Sequence, residues 1–185
     1  MLTAAQCAGR PDVQIVLKPH KLSDPIKTLE VFSVEDYVIH PFYQTLARFD
    51  HDYMIIKLTG SSSLPTVRLN INDNLPVTGS SLQVLGWGTS VAGKDVEADS
   101  LQEVDGVAIT NEECSNTYST IVITPDMLCV AEVNKGSCQV DGGGPLVIPG
   151  SSPDEDIQIG IPSRGINCGS NLCKLFRRVS SCSAF

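Results

Sequence analysis

The chain has 185 residues, with 13 Lys and Arg against 21 Asp and Glu, and a net charge of −8 at neutral pH. Binding to phosphate needs clustered cations that release counterions, so this balance excludes nucleic acid as an expected partner. Hydrophobic residues make up 42% of the sequence, enough for a packed core, yet no apolar run reaches the length of a membrane span.

The opening Met1-Leu2-Thr3-Ala4-Ala5-Gln6-Cys7 has neither the basic start nor the apolar centre of an export signal. Short β-rich runs then recur at 13–17, 53–58, 82–85, 106–110, 146–148 and 157–161, separated by Gly, Pro, Asn, Asp and Ser clusters. With no long 3.6-residue periodicity, the class is all-β, a barrel or a sandwich. The turn-rich stretch 72–81 is the candidate link between two halves, 1–78 and 79–185. Seven cysteines with only three histidines indicate a disulfide framework made in an oxidising compartment, with at least one thiol left over. No metal site or cofactor is expected. The missing export signal and the cysteine content agree if the sequence begins inside a longer secreted protein.

Four stretches together resemble trypsin-like serine proteases of the chymotrypsin fold. Leu2-Thr3-Ala4-Ala5-Gln6-Cys7 resembles the family's Leu-Thr-Ala-Ala-His-Cys, and the segment 49–58 resembles its Asn-Asp-Ile-Met-Leu-Ile-Lys-Leu. Leu85-Gly86-Trp87-Gly88-Thr89 resembles the strand that opens the second barrel. Ser137-Cys138-Gln139-Val140-Asp141-Gly142-Gly143-Gly144-Pro145-Leu146-Val147 resembles Ser-Cys-Gln-Gly-Asp-Ser-Gly-Gly-Pro-Leu-Val. The resemblance implies two Greek-key β-barrels with a cleft between them, the first incomplete here and the closing helix lacking.

It also implies where a Ser-His-Asp site would stand. Gly142 occupies the nucleophile's position and Gln6 the general base's; Asp52 alone is retained. Glycine has no atom that attacks a carbonyl, and a carboxamide does not relay protons near neutral pH. Losing either group costs roughly a million-fold in turnover, so peptidase activity by this route is not expected. The oxyanion donors correspond to the N–H groups of Val140 and Gly142, where Val140 replaces a glycine. The substrate pocket corresponds to Gly136, Ser137, Ser163, Arg164 and Gly165; Arg164 either meets an acidic ligand or is an ordinary surface arginine. The Gln6 amide is expected to donate to Asp52 in place of an imidazole, and His51, beside Asp52 on an extended segment, is expected to face solvent. The family's counterpart of Asp141 pairs with an N-terminal amine from a segment that would precede Met1.

The resemblance pairs Cys114 with Cys129 and Cys138 with Cys168, while Cys173 and Cys182 either pair together or one captures Cys7. The expected function is a secreted, catalytically inactive homologue that binds or inhibits a protein through the former substrate cleft. The alternatives are a serine endopeptidase by descent and a truncated fragment.

Overall fold

A computed structural model describes residues 1–45, 50–88, 97–118, 121–132, 142–163 and 173–182. Two sheets account for nearly all regular structure. The first contains β1 (Leu2–Thr3), β2 (Gln14–Leu17), β3 (Glu30–Ile39) and β4 (Met54–Leu58), all antiparallel, in the order β1-β4-β3-β2. It curls into a half-barrel around Ala5, Met54 and Ile56.

The second sheet contains β5 (Arg68–Leu69), β6 (Ser81–Gly86), β7 (Gln102–Ile109), β8 (Met127–Glu132), β9 (Leu146–Ile148), β10 (Ile157–Pro162) and β11 (Lys174–Arg178). The order β11-β8-β7-β6-β9-β10 returns on itself through antiparallel pairing of β10 with β11, from Gly160 opposite Arg178 to Pro162 opposite Phe176. Six strands therefore close a barrel, and β5 adds to β10 in parallel. The expectation of a mostly β chain built on barrels holds, with one barrel closed and one half open.

Alternation along each strand turns every second side chain inward, so Leu82, Ala108, Leu128, Val130, Leu146, Ile159 and Phe176 fill the closed barrel. Close approach across this core requires a glycine at 106: a Cβ there would stand 2.4 Å from Val130 Cγ1. A second cluster of Ala4, Tyr53, Ile161 and Val179 joins residues flanking β1 and β4 to residues of the closed barrel. The Tyr53 hydroxyl fixes this junction by donating to the Arg178 carbonyl at 2.8 Å.

The composition-based strands fall on β2, β4, β6, β7, β9 and β10. The reading left out β1, β5 and β8, and also β3 and β11, whose runs Glu30-Val31-Phe32-Ser33-Val34-Glu35-Asp36 and Lys174-Leu175-Phe176-Arg177-Arg178 are heavily charged. Both are held by pairing on two sides, β3 by β2 and β4, β11 by β8 and β10. It also left out a short helix, α1 (Asn111–Ser115), started by a capping box in which Thr110 and Glu113 bond reciprocally.

Candidate functional site

The site is assembled from three chain segments. The turn of 3-10 helix at Ala5–Cys7 follows β1 and carries Gln6, the approach to β4 carries Asp52, and Ser163 follows β10. Asp52 is wholly buried. Its Oδ1 accepts the Gln6 backbone N–H at 2.8 Å and its Oδ2 accepts the Ser163 hydroxyl at 2.7 Å. Burial pushes the carboxyl above its ordinary range, against the opposing effects of Ser163, the Gln6 N–H and Arg177.

Gly142 and Gly143 lie against the Gln6 turn. The Gly143 N–H donates to the Pro162 carbonyl at 3.0 Å, and its own carbonyl accepts from Thr3 Oγ1 at 3.1 Å. Gly143 has φ of +90°, and a Cβ there would meet Thr3 Oγ1 at 2.3 Å, so both conformation and space exclude a side chain. At Gly142 a Cβ would stand 3.0 Å from Gln6 Nε2.

This geometry corrects the expected role of Gln6. The backbone N–H of Gln6, rather than its side chain, serves Asp52; its Nε2 is buried, makes no hydrogen bond and lies toward residue 142. Ser163, expected from the resemblance to belong to the substrate pocket, donates its hydroxyl to Asp52. No local signal in the sequence gives that direction, because the contact spans 111 positions.

His51 is corrected as well. Residues 50–51 form a turn, with His51 at φ of +48°, so alternation along an extended strand does not apply there. Its ring stacks on His40 at 4.7 Å, and its side chain is only 19% exposed.

The pairing expected between Cys114 and Cys129 is not the one formed. Cys114 is bonded to Cys173, and Cys129 remains a buried thiol whose pKa burial pushes up to about 12. β11 pairs with β8 so that Leu175 lies opposite Cys129, which gathers the sulfurs of Cys114, Cys129 and Cys173 within 4.8 Å of one another, and the bond joins the first to the third. Cys7 and Cys182 are reduced, so neither expected partnership of Cys173 occurs. Gly136, Ser137, Cys138, Val140, Asp141, Arg164, Gly165 and Cys168 lie outside the described residues.

The family model described as Trypsin matches residues 1–185. The chain belongs to the trypsin family. Among solved structures it is similar to neuropsin, described as a serine protease expressed in the limbic system of mouse brain, with a TM-score of 0.82 and 26% identity. That match covers 97% of this chain and 79% of the neuropsin chain, and gives this trypsin-family chain a chymotrypsin-like fold. Among curated proteins it is 36% identical over 154 residues to human kallikrein-14, covering 81% of this chain and 57% of that relative. It is 29% identical to mouse serine protease 28, covering 100% of this chain and 72% of that protein. It is also 29% identical to Xenopus laevis trypsin, covering 91% and 67% respectively. The chain thus spans little more than half of the kallikrein-14 length.

Proposed function

We propose that this trypsin-family protein is a non-catalytic member that binds a protein ligand through the cleft at Gln6, Asp52 and Gly142. The observation that carries the reading is the pairing of Gly142 with Gln6. Where a Cβ at 142 would begin, the nearest side-chain atom is a carboxamide nitrogen 3.0 Å away, with no hydroxyl and no imidazole. An amide at that point neither takes a proton from a nucleophile nor returns one to a leaving group. Asp52 is satisfied by Ser163 and a backbone N–H, so the buried carboxylate stays in place without an imidazole. The cleft architecture is thereby supported independently of chemistry. Action outside the cell is supported by the family and by the Cys114–Cys173 disulfide.

The second reading is proteolysis. It is favoured by the names of the relatives, which are kallikrein, trypsin and serine protease. A fluorophosphonate probe and a panel of peptide substrates separate the two. The non-catalytic reading expects neither labelling nor turnover above the uncatalysed rate. Stoichiometric labelling, or hydrolysis lost on heating the protein, would replace it with the proteolytic reading.

A further inference from the structure

A cluster outside the cleft has the chemistry of a cation site. Asp50, His51 and Asp126 each present one ligand atom, all within 4.8 Å of one another. Asp50 is fully buried and Asp126 nearly so, while the His51 side chain is 19% exposed. Thr124 Oγ1 lies between the two carboxylates, 3.2 Å from Asp50 Oδ1 and in hydrogen-bond contact with Asp126 Oδ1, which turns their Oδ2 atoms to other neighbours.

Those Oδ2 atoms are poorly provided for. Asp50 Oδ2 stands 2.9 Å from His51 Nδ1, close enough to attract but without hydrogen-bond alignment, and both atoms are buried with no hydrogen-bond partner. Asp126 Oδ2 receives the His51 N–H at 3.4 Å and faces Arg177 Nη1 at 3.5 Å. Arg177 makes no hydrogen bond with Nη1 or Nε, so one guanidinium, held at a distance, opposes two buried carboxylates. Asp50 Oδ2 and His51 Nδ1 are thus left without a hydrogen bond beside a second buried carboxylate.

We propose that Asp50 Oδ2, His51 Nδ1 and the Asp126 carboxylate bind a divalent first-row metal ion. Adjacent ligand atoms around an octahedral ion with bonds of about 2.1 Å are about 3 Å apart, and opposite ones about 4.2 Å. The 2.9 Å separation of Asp50 Oδ2 from His51 Nδ1 matches the first, and all three ligand atoms lie within 4.8 Å of one another. A mixed carboxylate and imidazole set suits Mn(II), Co(II) or Zn(II) rather than a soft thiophilic ion. The stacked His40 ring and the Tyr53 ring hold the His51 imidazole from the protein side. Arg177, 3.5 Å from Asp126 Oδ2, limits affinity by its charge. The inference stands independently of whether the cleft is catalytic.

Mn(II) is the appropriate probe because thiols bind it poorly, which keeps Cys7, Cys129 and Cys182 out of the measurement. Titration followed by the loss of the free-ion EPR signal is expected to show one site, with imidazole nitrogen modulation in the pulsed spectrum. His51→Asn, which tolerates the positive φ, removes the nitrogen modulation and weakens binding more than about tenfold. Asp126→Asn also weakens it, and if that variant fails to fold, His51→Asn decides alone. No immobilised Mn(II) at about 1 mM ion, or unchanged affinity in His51→Asn, overturns the proposal.

Discussion

The closed barrel and the half-barrel follow the same alternating pattern and reach different results. In the closed barrel the inward residues Leu82, Val130, Leu146, Ile159 and Phe176 are all at most 1% exposed. In the half-barrel Met54 and Ile56 are buried, but Ile15, Val34, Ile39 and Leu58 packed against them are only partly so, Tyr37 opposite Ile56 remains 45% exposed, and a hollow of about 460 Å³ lined by Cys7, Val34, Met54 and Ile56 opens beside them. Closure makes the difference: once β10 pairs with β11, each inward side chain has neighbours on every side. An open sheet leaves one flank to water.

This comparison is broken most directly by truncating the closed core. Phe176→Ala is expected to cost about 3–5 kcal/mol in urea unfolding, because the cavity has no route to collapse. Ile56→Ala, on the half-barrel, should cost only about 2 kcal/mol, since its surroundings are already accessible beside the hollow. Equal losses would mean that the half-barrel is packed as tightly as its partner. Gly106→Ala tests the same closure by overpacking, forcing a methyl group against Val130, with an expected cost of about 1–3 kcal/mol.

The buried carboxylates sharpen the contrast between the cleft and the Arg177 cluster. Asp52 has a raised pKa, so the folded state holds its proton longer than the unfolded chain does. Its contribution to stability declines as pH rises from the ordinary carboxylate range through the folded pKa. Asp126 has the opposite sign. Burial pushes it up, but Thr124 and Arg177 outweigh that effect and hold it low, so its contribution is present above the ordinary carboxylate range and lost as pH falls through the folded pKa. Denaturant midpoints against pH should therefore show Asp52→Asn gaining on the parent as pH rises, and Asp126→Asn losing. Parallel profiles would sink the assignment. Ser163→Ala removes the hydroxyl donor to Asp52 and should cost about 1–3 kcal/mol at neutral pH, with a smaller loss in acid. The smallest expected effect is kinetic: iodoacetamide should modify half-exposed Cys7 before buried Cys129 in the native protein, as peptide mapping would report.

Much of the architecture was legible because hydrophobic period and turn residues are local signals. Strands such as Ile157–Pro162 and Leu146–Ile148 announce themselves by composition, and the 2–7, 49–58 and 137–147 stretches carry the family. The apolar strand β8 was passed over, and the charged strands β3 and β11 were not legible, since Glu30, Asp36, Arg177 and Arg178 break the pattern that pairing on both flanks restores. The capping box at Thr110 and Glu113, a local signal for α1, was not read from the sequence.

For the site, the sequence by itself determined which groups exist: a carboxylate at 52, a carboxamide at 6 and no side chain at 142. Chemical identity is local, so one letter decides it. Only the tertiary structure decided what those groups face. Ser163 reaches Asp52 across 111 positions, Gln6 serves that carboxylate through its backbone, Cys114 chooses Cys173, and His51 turns inward beside Asp50. Each of these depends on strand register and barrel closure, where a shift of one residue sends a side chain to the opposite face, and no short stretch of sequence records that choice.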